Sequence, residues 1–248
     1  MMNVKSCVAV AVFIFMVSSV FANANANTNG SSVEKQNSFK EKIHQAIVKF
    51  EQTERKHWGF TVNRFENEEG DITESVEQFT PNTDVNKRWL LINANGEKAT
   101  KKQQEKFLKT KREQAKGSNS YSVKLREIIN QDTLAFQSET SSHIQISFQV
   151  TLSQFGDETK GKLDGLLSYN KQGAFIETIT ITNNAPFSPM FSASINELNL
   201  TFSFTQIDDA ILFREHALKM KGTFAYFVEI DEVSKDSYFD YQYQAVGE

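Results

Sequence analysis

The chain has 248 residues, 21 of them phenylalanine, and a formal net charge of −4 at pH 7. This length is ordinary for one all-β domain and is enough to bury a core. The mildly acidic balance argues against broad binding to nucleic acids or anionic lipids, because both carry negative charge themselves.

The N-terminus predicts an export signal. Lys5 precedes an apolar run over residues 8–21, and the small residues between Ala22 and Ala26 offer cleavage sites. The run is too short and wrongly flanked for a membrane span, so we expect no integral span. The single cysteine, Cys7, precedes the run, whereas a lipidation cysteine would follow it. A mature chain without thiols or disulfides fits a bacterial periplasm, which is the predicted location.

A polar spacer and a helix follow the signal, taken as residues 1–26. Residues 27–37 are predicted to be disordered, because they are polar and repetitive, and 38–248 to form one domain. Ser38 and Glu41 have the spacing of a capping box, and apolar residues then recur at helical spacing. This pattern predicts an amphipathic helix over residues 38–55. Its apolar stripe is Phe39, Ile43, Ala46, Ile47 and Phe50.

Strands dominate the rest of the chain. Apolar residues alternate with polar ones from Trp58 through Val62 and, most regularly, over residues 144–152. Further strands are predicted over residues 72–79, 88–93, 163–169, 174–182, 192–205, 210–215, 222–230 and 238–245. Roughly nine to eleven strands joined mostly by short loops predict antiparallel pairing, because parallel strands need crossovers of about a dozen residues or more.

A second, charged helix interrupts the strands. Thr100 and Gln103 can cap each other and Gly117 can end the helix, which predicts a helix over residues 100–116. Its many lysines are typical of a solvated face, although they also suit an acidic partner or a membrane surface. A short helix or strand is predicted over residues 121–129.

The expected fold is mainly β with some α. A sheet of this many twisted strands must curl, close or split. We therefore predict a curved antiparallel sheet or incomplete β-barrel. The N-terminal helix would lie across its concave side, because the apolar stripe of that helix needs a partner, and the charged helix would be a second addition.

The order of elements, with strands such as Trp-Gly-Phe-Thr-Val over residues 58–62, resembles the periplasmic lipoprotein carriers of the LolA/LolB-like fold. The resemblance covers residues 38–243 in outline. It implies an unclosed barrel capped by helices that holds acyl chains in its concavity. The chain departs from these carriers in its early charged helix and in lacking the lipidation cysteine of the membrane-anchored members.

No pattern predicts catalysis or metal binding. The four histidines lack metal-ligand spacing, and no Gly-x-Ser-x-Gly nucleophile turn is present. The acidic clusters at residues 66–71 and 229–236 lack the ligand pattern of a calcium loop and are typical of solvated turns. We therefore expect no enzyme activity, no catalytic residue, no metal and no cofactor.

The phenylalanines and one stiff loop favour an apolar ligand. Residues 183–191 hold two of the three prolines and present aromatic side chains, which can rim a site or equally plug the end of the barrel. We expect a non-enzymatic periplasmic binding or carrier protein for a lipid-like or other hydrophobic ligand. The alternative is a protein-binding envelope module with a filled core, using the basic helix or the loop. The predicted ligand-binding residues are Trp58, Phe60, Trp89, Phe148, Phe187, Met190, Phe191, Phe202 and Phe204.

Overall fold

The computed structural model describes residues 30–116, 124–150, 159–190, 192–225 and 227–244. The export signal, its cleavage region at Ala22–Ala26, Phe191 and the side chain of Met190 lie outside the described residues. The predictions made for them therefore stay predictions.

Twelve strands form one antiparallel sheet in the described part of the chain. Their order across the sheet is β4-β3-β2-β1-β12-β11-β10-β8-β7-β6-β5, and β9 pairs with β10. Since β4 and β5 are the two ends of this order, the sheet is not closed. The strands are β1 (Trp58–Glu68), β2 (Asp71–Phe79), β3 (Trp89–Ala94), β4 (Glu97–Lys98), β5 (Ala135–Glu139), β6 (His143–Gln149), β7 (Leu163–Asn170), β8 (Phe175–Asn183), β9 (Phe187–Met190), β10 (Ala193–Ile207), β11 (Ala210–Phe224) and β12 (Val228–Tyr243).

The sequence prediction was wrong for the strand over residues 222–230. A turn lies there instead, because β11 runs on to Phe224 and β12 begins at Val228. Ala225 takes a positive φ of 50° in this turn, and its N–H donates to the carbonyl of Ser192. The predicted loop over residues 183–191 contains β9. Pro189 is tolerated in it because β9 pairs on one side only, with β10.

Three helices accompany the sheet in the described residues: α1 (Gly30–Gln52), α2 (Lys101–Lys116) and α3 (Leu125–Ile128). The first begins at Gly30 and not at Ser38, so residues 30–37 of the predicted spacer are helical. A capping pattern at Ser38 favours a helix start there but does not prevent the helix from beginning earlier. No proline lies between Gly30 and Ser38 to interrupt it. The predicted capping box of α2 is confirmed, since the Thr100 N–H donates to Gln103 Oε1 at 2.9 Å and the Gln103 N–H to Thr100 Oγ1 at 3.3 Å.

The core lies between α1 and one face of the sheet. The predicted apolar stripe of α1 is buried, and this helix contacts β8 and β11. Phe50 meets the fully buried ring of Phe204 edge-on, with centroids 4.9 Å apart. Farther along the sheet, the ring of Phe148 occupies the space over Gly165, where an added Cβ would overlap it.

Candidate ligand-binding face

A continuous chain of ring contacts links α1 to α2 across one face of the sheet. Successive ring centroids in this chain are 5.5 to 6.4 Å apart. From α1 to α2 the rings are Phe50, Phe213, Tyr238, Phe60, Trp89 and Phe107. Both helices therefore lie on the same face, which we call the helix-covered face.

Beside α2, half-buried rings form an aromatic cluster, defined as Phe60, Phe79, Trp89, Tyr238 and Tyr241. Phe60 is its centre, with centroids at 5.2 Å from Phe79 and 5.8 Å from Tyr241. An irregularity in the β1–β12 register next to Phe60, with Asp240 at a φ of 53°, places both tyrosines on the helix-covered face. Unlike Phe204, these residues keep some of their surface exposed to solvent.

An ionic network adjoins the aromatic cluster and consists of Arg64, Glu77, Lys111 and Asp236. The buried Glu77 carboxylate pairs with Arg64 (Nε to Oε1, 3.1 Å) and with Lys111 (Nζ to Oε2, 2.9 Å). Arg64 also pairs with Asp236, whose carboxylate accepts a hydrogen bond from the Tyr238 hydroxyl. The two cations and two carboxylates balance, so the network contributes no net charge to the face.

Burial and pairing act in opposite directions on this network. Burial opposes ionisation of Glu77, but the neighbouring Arg64 and Lys111 outweigh it and hold the pKa of the carboxyl below its usual range. At Lys111, burial prevails over the attraction of Glu77 and lowers the pKa of the ammonium. Glu77 is therefore ionised at neutral pH, and its carboxylate opposes the effect of burial on the Lys111 ammonium.

α2 contacts the sheet mainly at β3. Lys111 Nζ lies 4.2 Å from the ring centroid of Trp89 and 5.0 Å from that of Phe107. The Leu91 N–H donates to Gln104 Oε1 at 3.0 Å. The other described lysines of α2 are exposed, in agreement with a solvated face. The helix covers the aromatic cluster mainly through Phe107 and Lys111.

Two tyrosines and one histidine of this face are held in their neutral forms. Burial raises the pKa of Tyr238 and Tyr241 well above the ordinary phenol value, so both hydroxyls stay protonated. Burial lowers the pKa of His216, whose ring stacks on Phe202 with centroids 5.0 Å apart. The hydroxyls of Tyr238 and Tyr241 already donate to Asp236 and to the Phe213 carbonyl, so these groups offer mainly ring surface.

Among the described residues, no group of three or more His, Cys, Asp and Glu side chains is arranged to hold a metal ion. No helix in the described ranges is long and apolar enough to cross a membrane.

The structure divides the predicted ligand-binding residues into two groups. Trp58, Phe60 and Trp89 lie in or next to the aromatic cluster, since the Trp58 ring meets that of Tyr241 at 6.4 Å. The other described ring side chains are buried in the core around α1: Phe148, Phe187, Phe202 and Phe204. The assignment of either group to a ligand stays a prediction.

Sequence reasoning missed the ionic network and the two tyrosines. Glu77 and Lys111 come from different elements, and neither residue belongs to a recognisable motif. The available signal was that Glu77 shares a strand face with Phe79, two residues later, and the structure buries Glu77 on that face. An inward charge requires a partner, but the sequence does not say which one.

No protein-family model matches the chain. No curated protein is significantly similar to it in sequence. Among solved structures, the chain is similar to a DUF1329 family protein from Desulfovibrio piger, with 7% sequence identity and a TM-score of 0.32. The match covers 83% of this chain and 93% of that chain. Because a TM-score this low does not establish a shared fold, the likeness carries no conclusion about the ligand.

Proposed function

We propose that the protein is an exported, non-enzymatic binding or carrier protein for an apolar ligand. The ligand would lie on the aromatic cluster of the helix-covered face, with α2 as a cover. The observation that carries the proposal is the half-buried state of this cluster beneath α2, which reaches it mainly through Phe107 and Lys111.

Three features of the cluster support an apolar ligand. Its rings offer both faces and edges to hydrocarbon, which gains about 25 cal/mol for each Å² of apolar surface removed from water. The neighbouring ions are paired with one another, so they do not demand a charged ligand. The cover is a single helix, whose contacts with the cluster are made mainly by Phe107 and Lys111.

Export to the periplasm is part of the same proposal. It is supported by Lys5 and by the apolar run that follows it, ending in small residues at Ala22–Ala26. An extracytoplasmic binder of apolar compounds would protect them from water between membranes.

The test is native mass spectrometry of the protein purified from bacterial periplasm, followed by solvent extraction. We expect a co-purifying lipid, and uptake of a fluorescent fatty acid by the stripped protein. Trp89→Ala should abolish the uptake, because it removes the ring between Phe60 and Phe107. Leu90→Ala is the matched control, since this neighbour is 48% exposed and alternates to the other face of the sheet.

A measured mass equal to that of the protein alone, together with no fatty-acid uptake, would end the carrier proposal and favour the protein-binding module. The fully buried contact of Phe204 with Phe50 is the observation on the side of that alternative, because it shows a filled core under α1.

A further inference from the structure

A groove of about 270 Å³ lies on the face of the sheet that the helices leave uncovered. Phe65 is paired with Glu74 of β2 and with Lys235 of β12, so these three side chains form a row. The next row contains Val76, Asn63 and Ser237, with Asn93 of β3 beside Val76. Asn63 and Phe65 flank Arg64 on β1, and successive side chains of a strand point to opposite faces. Since Arg64 points to the helix-covered face, both rows point to the other face. We call this site the open-face groove.

Four polar side chains of the groove have unused hydrogen-bonding capacity. Within the described part of the chain, the side chains of Asn63, Glu74, Asn93 and Ser237 make no hydrogen bond or ion pair. Their strands are paired on both sides, so the backbone fixes where these side chains start. The groove thus places donors and acceptors around the Phe65 ring.

The charges of the groove exclude an anionic ligand. Lys235 is neutralised by Glu215, with Nζ 2.7 Å from Oε2. Glu74 carries the charge that no described side chain compensates, and it repels phosphates and carboxylates. The groove therefore suits a neutral molecule, or one that donates hydrogen bonds to a carboxylate.

The remaining groups define the ligand more closely. Each asparagine amide donates and accepts, the serine hydroxyl does both, and the carboxylate accepts from hydroxyl groups. Phe65 and Val76 add an apolar floor, against which the C–H face of a ring can pack. The volume lies below the roughly 300–1,000 Å³ of sites that bury a drug-sized ligand, so one ring fits. Neutral molecules with many hydroxyls and an apolar ring face are sugars.

We propose that the open-face groove binds one ring of a neutral saccharide. The ring stacks on Phe65, and its hydroxyls bond to Asn63, Asn93 and Glu74. This site is on the opposite face of the sheet from the proposed apolar ligand and does not depend on it.

The test is a titration of the ¹⁵N-labelled full-length mature protein with methyl glucoside, N-acetylglucosamine and cellobiose, followed by amide shifts. We expect a saturable response at millimolar concentrations of at least one of these sugars, confined to the groove strands β1, β2, β3 and β12. Asn63→Ala and Asn93→Ala should each weaken binding about tenfold, the effect of losing one hydrogen bond of about 1.4 kcal/mol.

Asn199→Ala is the matched control, because Asn199 is an exposed strand asparagine on the same face, in β10 and outside the groove. It should leave the affinity unchanged. If Asn63→Ala does not give the spectrum of a folded protein, Asn93→Ala tests the same groove from a different strand. The proposal is overturned by three results: no saturation with any of the sugars, equal weakening by the control, or binding of inorganic phosphate in place of sugar.

Discussion

Replacing Glu77 by Gln should destabilise the protein by about 3 kcal/mol. Breaking a buried ion pair by removing one partner costs about 3–5 kcal/mol, because the other charge is left buried and unpaired. The Glu77 side chain is 6% exposed and that of Lys111 is 17% exposed, so neither is screened well by water. The lower end of the range applies because Arg64 keeps its pairing with Asp236 and Lys111 can turn outward.

The measurement is urea unfolding followed by tryptophan fluorescence and far-ultraviolet circular dichroism. Glu74→Gln is the control: Glu74 lies three residues earlier on the same strand, points to the other face and is exposed, so its replacement should stay within about 0.5 kcal/mol of wild type. Equal urea midpoints for Glu77→Gln and wild type would refute the reasoning.

A double variant separates the ion pair from the shape of the site. Lys111→Met in the Glu77→Gln background removes the orphaned ammonium while keeping a long apolar stem over Trp89. It should recover about 1–2 kcal/mol of the loss, because replacing both ions is far less costly than removing one. If the double variant is as unstable as the sum of the single ones, Glu77 and Lys111 are not coupled.

Three more predictions concern other parts of the fold. Burial raises the pKa of Glu232 from 4.5 to about 7, and the like charges of Glu68 and Glu66 add to this shift. The folded state therefore binds this proton more tightly than the unfolded state, and the free energy of unfolding falls as the pH rises from about 4.5 through 7. Glu232→Gln should remove that fall and add on the order of 2 kcal/mol to the stability at pH 8. The measurement is urea unfolding at a series of pH values. Gly165→Ala should cost about 1–3 kcal/mol in thermal unfolding, because the new methyl displaces the Phe148 ring. Thr100→Ala should cost about 1 kcal/mol of α2 stability, measured by hydrogen exchange, because it removes the N-terminal cap.

Each of these variants has a control nearby. Glu229→Gln changes an exposed carboxylate on the same strand as Glu232, and Leu166→Ala changes an exposed neighbour of Gly165. Lys101→Ala lies next to Thr100 and leaves the capping bonds in place. A pH profile unchanged by Glu232→Gln, or controls as damaging as the tests, would contradict the assigned causes.

Local patterns predicted those elements whose side chains show a clear period. The strand starting at Trp58, the helix α2 and its Thr100 cap follow directly from alternation, helical spacing and capping chemistry. The apolar stripe of α1 was predicted residue by residue, because burial on one side imposes the period of the helix. The mainly β class and the unclosed antiparallel sheet were predicted on the same basis.

The sequence could not show what depends on distant pairing. The long strand β11 carries Lys219 and Lys221 on its exposed side, and β12 carries Lys235. Such charges hide the length of a strand from a pattern based on apolar runs. The ionic network joins Arg64 to Asp236 across 172 positions, and no local rule relates them. The half-buried state of the aromatic cluster is likewise set by where α2 lies.

The pairing of β1 with β12 places the first and the last strand of the described residues side by side, with Trp58 opposite Tyr243. Contacts this far apart in sequence are typical of slowly folding domains. Because β12 alone joins β1 to β11, a chain without β12 would leave both of those strands with an unpaired edge, and such edges favour self-association.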